Sequence, residues 1–167
     1  MKNKQAPAVI LVNPKFAVNV GNSIRACAAY GVNTLVWTGD RVTMKGEKRL
    51  PREERMKGYN KVDFSRFNKP LNLFGDVTPV CIEIGPSTEN LAVFDHPDNA
   101  VYVFGPEDGS VPQVYRRLCH RFVQIPTYHC VNLAQAVNVV LFHRRLQLWD
   151  RGILPLPELA EDRGFIE

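Results

Sequence analysis

Short apolar runs alternate along this chain with segments of helical pattern, and this alternation limits the possible folds. The runs contain consecutive rather than alternating apolar residues, which indicates strands that are buried on both faces. They occupy residues 8–12, 34–38, 77–84, 100–104 and 121–125. Strands that alternate with helices build a mostly parallel sheet with helices on both faces. The sequence therefore predicts the α/β class.

Helical patterns cover residues 20–30, 89–94, 112–119 and 132–149. Gly31 follows the first of them as a stop signal. Pro112 suits the first turn of the third, because a first turn leaves its N–H groups without partners. The chain has 167 residues, a length that suits one core. We predict a single domain over residues 1–167.

Composition narrows the class of protein further. No apolar run approaches the ~18 residues that a membrane span needs, and the amino terminus lacks a signal-peptide pattern, so we expect a cytoplasmic protein. Four cysteines, none in Cys-x-x-Cys spacing, favour reduced thiols over disulfides or a zinc site. His96, His120 and His143 also lack metal-ligand spacing. We expect no metal.

Positive charge is concentrated between residues 41 and 69. The formal net charge is +4, and ten of the 21 Lys and Arg residues lie in this segment, against four acids. Tyr59, Phe64 and Phe67 are interleaved with them. Such a segment predicts either a surface that binds nucleic-acid phosphates or a solvated face without a ligand.

Two asparagines and an arginine follow the first strand, in the order Asn19-Val-Gly-Asn-Ser-Ile-Arg25. A dinucleotide site or an ordinary methyltransferase site would have several glycines here, and only Gly21 is present. Asn19, Asn22 and Arg25 near a helix start suit the binding of a phosphate or a ribose. One asparagine can instead cap the helix. Arg25 lies in an otherwise apolar helix, where a charge needs a partner or a ligand.

Two further loops follow the carboxyl ends of predicted strands, where parallel sheets bind ligands. One reads Phe104-Gly-Pro-Glu-Asp-Gly-Ser110, which places Glu107 at the strand end but also makes an ordinary turn. The other runs from Ile125 to Asn132 and leads into the longest helix, which Asn132 can cap. A catalytic pair of His129 and Cys130 is disfavoured, because no acid in the sequence clearly orients the imidazole. The loops predict a cofactor site.

The three motifs, in this order, resemble the SPOUT superfamily, specifically its SpoU/TrmH class of RNA 2′-O-ribose methyltransferases. Residues 19–25 resemble the first family motif and residues 104–107 the second. Ile125-Pro126 with Asn132-Leu-Ala-Gln-Ala-Val137 resembles the third. The resemblance extends from about residue 8 to residue 148. The size is similar to that of the minimal, TrmL-like members that modify the wobble position of tRNA.

This resemblance implies a C-terminal trefoil knot whose loops hold S-adenosylmethionine. By position, the cofactor-binding residues would be Gly85, Gly105, Ile125, Cys130 and Leu133. The family is dimeric through its first and last helices, so a homodimer is implied as well. Apolar residues expected to supply that interface are Ile24, Cys27, Ala28, Val139, Val140, Leu141, Leu146 and Trp149.

The resemblance makes Asn19, Arg25, Glu107 and Asn132 the catalytic candidates. Because arginine stays protonated, Arg25 is better suited to clamp phosphate and ribose and to stabilise a developing alkoxide than to act as a general base. The implied activity is S-adenosylmethionine-dependent 2′-O-ribose methylation of RNA. The expected target is an anticodon-loop nucleotide of tRNA.

Two alternatives stay open. Cys130 stands where the family usually has a serine, which motivates a catalytically inert RNA-binding dimer that keeps the knot. A flavodoxin-like nucleotide-binding protein is the other alternative, and it predicts an unknotted sheet. The absence of a glycine-rich turn argues against this second alternative.

Overall fold

The computed structural model describes residues 4–42 and 59–153. Seven strands in these residues form one sheet, and all its strand pairings are parallel. They are β1 (Ala8–Leu11), β2 (Thr34–Trp37), β3 (Asp63–Arg66), β4 (Thr78–Ile82), β5 (Glu89–Asn90), β6 (Ala100–Phe104) and β7 (Arg121–Gln124). Their order across the sheet is β3-β2-β1-β6-β4-β7-β5. The predicted α/β class with a parallel sheet is confirmed.

Three α-helices in the described ranges accompany the sheet: α1 (Ala17–Tyr30), α2 (Gln113–Arg116) and α3 (Leu133–Asp150). Helix α1 ends at Gly31, whose φ of 74° is left-handed, as expected of a glycine that stops a helix. Helix α3 begins after Asn132, whose side-chain oxygen accepts hydrogen bonds from the backbone N–H groups of Ala134 and Gln135. Both predicted helix boundaries are confirmed. None of the helices described is long and apolar enough to cross a lipid bilayer.

Two predicted helices and one strand differ between the prediction and the structure. The segment predicted as a helix over 89–94 is the short strand β5 followed by a 3-10 turn at Leu91–Val93. Strand β3 was not predicted, because it forms the sheet edge and its side chains are not buried, so it carries no apolar run. The predicted helix over 112–119 is shorter in the structure and covers only α2.

Alternate residues of each central strand face opposite sides of the sheet, and each side has its own core. Val9 and Leu11 of β1 pack with α1 and α3, whereas Ala8 and Ile10 pack on the opposite side. That opposite side is covered by the 3-10 helix Pro70–Leu73 and by Tyr115 of α2. Helical segments therefore cover both faces, as predicted, but both long helices lie on the same face.

The interface assignment of several apolar residues was wrong. Ile24, Cys27, Val140 and Leu141 are at most 1% exposed, because α1 and α3 pack against each other and against the sheet within one chain. These four residues belong to the core. Exposed apolar side chains on α1 and α3 are Val18, Val139, Phe142, Leu146 and Trp149. The four cysteines are free thiols, and Cys130 alone is exposed.

Candidate active site

Three of the four catalytic candidates form one hydrogen-bond chain. The Asn132 amide donates to Asn19 Oδ1 over 3.1 Å, and the Asn19 amide donates to Glu107 Oε1 over 2.6 Å. Asn19 is only 4% exposed, so its amide needs these partners. The chain joins the start of α1, the loop after β6 and the cap of α3. The structure therefore brings together residues that are far apart in the sequence.

Glu107 also binds the backbone just before the start of α1. Its Oε2 accepts a 2.7 Å hydrogen bond from the backbone N–H of Lys15, and its Oε1 accepts a 3.4 Å bond from that of Phe16. Residue 105 must be glycine for the loop to take this path, since a Cβ there would lie 2.9 Å from the backbone nitrogen of Val111. The carboxylate is fixed by main-chain donors on one side and by Asn19 on the other.

The first cavity of the site opens at the carboxyl ends of β4, β6 and β7. Its volume is about 180 Å³, and it is open to solvent. Four of the five predicted cofactor-binding residues line it: Gly105, Ile125, Cys130 and Leu133. Gly85 does not, although its neighbour Ile84 does. Ile82 and Phe104 contribute apolar surface to this cavity, and Glu107 also lines it.

A second cavity, of about 560 Å³, lies between α1 and the first turns of α3. Asn19 and Asn132 line it, so the hydrogen-bond chain stands between the two cavities. Arg25, the fourth catalytic candidate, lines this second cavity and is exposed. Its guanidinium has no hydrogen bond or ion pair with any residue that the structure describes. The site thus contains one cation that is free to meet an anionic ligand.

Two features of the site were not predicted. Glu83, after β4, lines the first cavity, and its Oε2 accepts a 2.8 Å bond from the Val111 backbone, which ties the end of β4 to the loop after β6. Arg41 makes two hydrogen bonds to Asp108, of 3.0 and 2.7 Å. These bonds hold the pKa of Asp108 down to about 2. A carboxylate immediately after an apolar strand is the signal that could have indicated Glu83.

The basic segment 41–69 is only partly described, and its residues 43–58 lie outside the described ranges. Lys61, Arg66 and Lys69 are exposed, whereas Arg41 is paired with Asp108. Phe64 and Phe67 pack against the two cores. Within the described residues, no group of three or more His, Cys, Asp or Glu side chains could hold a metal ion.

Residues 6–142 match the model of the SpoU rRNA Methylase family, which is most of the chain and includes every residue of the hydrogen-bond chain. The chain belongs to this family. The resemblance inferred from the three motifs is thereby confirmed at the level of the family.

The chain is also similar to tRNA (cytidine-2′-O-)-methyltransferase TrmJ of Methanocaldococcus jannaschii, with 29% identity over 150 residues. That match covers 81% of this chain and 65% of the relative, so the chain spans somewhat less than two thirds of the relative's length.

Solved structures share the fold. The methyltransferase AviRb from Streptomyces viridochromogenes, in complex with AdoMet, has a TM-score of 0.70 and 19% identity, and the match covers 88% of this chain and 59% of AviRb. A structure described as giving insights into 2-OH methylation of cytidine or uridine 34 on tRNA has a TM-score of 0.67 and 22% identity. That match covers 86% of this chain and 97% of the other.

Proposed function

We propose that this chain is an S-adenosylmethionine-dependent RNA 2′-O-ribose methyltransferase that acts on an anticodon-loop nucleotide of tRNA. The observation that carries the proposal is the Asn132–Asn19–Glu107 chain between two cavities, one at the strand ends and one beside Arg25. Family membership, the tRNA ribose methyltransferase relative and the structure concerned with nucleotide 34 support the type of reaction and of substrate.

The first cavity fits the methyl donor. Ile82, Phe104 and Leu133 offer apolar surface to an adenine ring, and the carboxylates of Glu83 and Glu107 suit a cationic sulfonium compound. AviRb, which shares the fold, was solved with AdoMet bound. When bound, S-adenosylmethionine supplies the reactive methyl group, so the protein needs chiefly to position the acceptor and to stabilise charge.

In the second cavity, Arg25 supplies the charge that the acceptor requires. A ribose 2′-hydroxyl develops negative charge as it loses its proton, and a fixed guanidinium stabilises that charge without having to accept the proton. Asn19 and Asn132 cannot turn towards other partners, because both of their amides are held in the hydrogen-bond chain. Together these residues orient the acceptor in a preorganised site.

The proposal is tested by methyl transfer from labelled S-adenosylmethionine to total tRNA with the full chain. We expect label in ribose-methylated nucleotides, which resist alkaline hydrolysis of the RNA. Arg25→Ala should lower the rate by at least about a hundredfold, as the loss of a preorganised charge-stabilising donor does. Arg117→Ala is the matched control, because it removes an exposed arginine from residues 105–120, which connect β6 to β7. Undiminished transfer by Arg25→Ala would contradict the role of Arg25.

The inert RNA-binding dimer remains the second candidate, since Cys130 lies in the wall of the first cavity in place of the family's usual serine. Calorimetric titration with S-adenosylmethionine separates the two candidates. Saturable binding at micromolar to millimolar concentrations is expected of the enzyme. If the wild-type protein binds RNA but no cofactor at millimolar concentrations, the inert alternative replaces the enzyme.

A homodimer through α1 and α3 is part of the proposal. Val18, Phe142, Leu146 and Trp149 leave an exposed apolar surface on these two helices, and such a surface is typical of an interface. A two-fold packing of this surface against its own copy would bury it. Sedimentation equilibrium tests the dimer, and a monomer at micromolar concentration would contradict it.

A single domain over residues 1–167 with a C-terminal trefoil knot, in the minimal TrmL-like form, completes the proposal. Strand β4 lies between β6 and β7, so the connection 105–120 crosses over β4 before α3 returns to pack on α1. An experimental structure that traces residues 82–133 tests the knot. A cytoplasmic location is expected from the tRNA substrate, and cell fractionation tests it.

A further inference from the structure

The second cavity has polar side chains besides those that the proposed chemistry uses. Arg25 and Asn22 are three residues apart on α1, and Asn138 and Gln135 are three residues apart on α3, so each pair lies on one helix face. All four line the same cavity. The two helices therefore present three side-chain amides and one guanidinium to a shared space.

The space of this cavity exists because several of the residues that line it are alanines. Ala26 and Ala29 line it from α1, and Ala134 lines it from α3. Larger side chains at these positions would fill the space between the helices, since the helices pack directly against each other elsewhere. Among the residues that the structure describes, none with a carboxylate lines the cavity. An anionic ligand with a polar ring therefore meets no like charge within it.

The hydrogen-bonding capacity of the amides is largely unused. The side chains of Asn22 and Gln135 have no hydrogen bond with any residue in the described ranges. Asn138 donates one bond, of 2.9 Å, to the Ala134 carbonyl, which leaves its side-chain oxygen available as an acceptor. Asn19 and Asn132, by contrast, are held in the chain that joins the cavities. The free amides thus form a set distinct from the catalytic candidates.

Side-chain amides carry a donor and an acceptor side by side, which is the pattern that pairs with the edge of a nucleobase. Single-stranded RNA bases are recognised in this way when they are turned out of their stack. We propose that Asn22, Gln135 and Asn138 recognise the base of the nucleotide that is methylated. This inference rests on the proposed function and adds to it the residues that determine base preference.

The experiment begins with total tRNA, in which the wild-type protein identifies its substrate and the methylated nucleotide. Four transcripts of that tRNA, differing only in the base at that nucleotide, are then compared by kcat/KM. We expect the wild type to favour one base by about tenfold or more, the discrimination that one well-placed pair of hydrogen bonds provides. Gln135→Ala and Asn138→Ser should reduce this preference severalfold, while the affinity for S-adenosylmethionine stays the same.

Matched variants separate base recognition from folding. Gln113→Ala removes an exposed amide that lies on α2 and does not line the cavity, so it should leave the preference intact. Asn138→Ser retains a polar side chain in the half-buried position. Equal use of the four transcripts by the wild type, or an unchanged preference in both variants, would overturn the inference. Absence of transfer to any tRNA by the wild type would instead overturn the proposed function.

Discussion

Replacing Glu107 by glutamine tests the hydrogen-bond chain, because the direction of its bonds is set at both ends. At one end the oxygen of Asn132 caps α3, so its amide must donate to Asn19. At the other end both oxygens of Glu107 accept bonds, one from the Lys15 backbone and one from Asn19. A glutamine keeps the shape but replaces one acceptor with a donor. Rotating the Asn19 amide by half a turn does not restore the missing bond, because its nitrogen would then face the Asn132 amide nitrogen, which is also a donor.

The cost follows from the groups left without an acceptor. Asn19 is 4% exposed, so the glutamine oxygen should face its amide, and the glutamine NH2 then faces the Lys15 backbone N–H, where neither donor has an acceptor. A buried polar group without a partner costs about 1–3 kcal/mol, and bonds to a charged carboxylate are at the upper end. We therefore expect Glu107→Gln to lower the free energy of unfolding by about 2 kcal/mol. Asn19→Asp should also destabilise the protein, because it places two carboxylates against each other.

The double variant Glu107→Gln with Asn19→Asp restores the bonds of the chain, with the one between positions 19 and 107 reversed, and loses only the long bond from the Phe16 backbone N–H. The new glutamine accepts from the Lys15 backbone and donates to the aspartate, which also accepts from Asn132. Urea denaturation followed by circular dichroism compares the wild type, the two single variants and the double variant. We expect the double variant to recover at least about half of the loss caused by Glu107→Gln.

Asp108→Asn is the matched control, since Asp108 neighbours Glu107 but is exposed and pairs with Arg41 at the surface. Exposed ion pairs contribute little to stability because water and salt screen them, so the control should change stability less. A loss below about 0.5 kcal/mol for Glu107→Gln, or a double variant as unstable as the worse single variant, would refute the assigned bond directions.

Three other perturbations have defined outcomes. Cys130→Trp should fill the first cavity and weaken S-adenosylmethionine binding by about tenfold or more in calorimetry. Tyr128 is fully exposed in the same loop, so Tyr128→Trp should leave that binding unchanged. Equal effects of the two variants would contradict the cofactor site. Burial, with a contribution from His143, lowers the pKa of His96 to about 3, so the unfolded state binds more protons below about pH 6.5. Stability in urea should fall by about 2 kcal/mol between about pH 7 and pH 5, and constant stability would contradict this burial. Trp149→Glu should shift the proposed dimer towards monomer in sedimentation equilibrium, and an unchanged dimer mass would contradict an interface that contains Trp149.

The central part of the fold could be predicted because buried parallel strands have continuous apolar runs. Strands β1, β2, β4, β6 and β7 all lie within predicted segments. The edge strands β3 and β5 could not be predicted, since exposed strands need no apolar pattern. Helix α1 begins at Ala17, three residues before the predicted start, since its amino-terminal boundary is at Phe16, without a side-chain cap that the sequence could reveal.

The candidate site was predictable where a residue type is unusual for its place in the chain. The prediction included Asn19 and Arg25 because they are polar residues in an apolar helix, and Glu107 because it follows a strand end. The structure joins Asn19 to Glu107 by a hydrogen bond. The pairing of Arg41 with Asp108 depends on tertiary contacts between distant loops, which spacing does not reveal. Helical periodicity likewise does not say which apolar side chains face their own sheet. Ile24 was assigned to an interface for that reason and is instead buried in the core.

Mapping of ribose methylation in the tRNA of host cells with and without this protein tests the proposed activity directly. We expect one anticodon-loop nucleotide to lose its 2′-O-methyl group when the protein is absent. The wild-type chain should restore that modification and Arg25→Ala should not. Identical methylation maps in the two cell lines, or restoration by Arg25→Ala to the wild-type level, would contradict an enzyme that methylates tRNA ribose through Arg25.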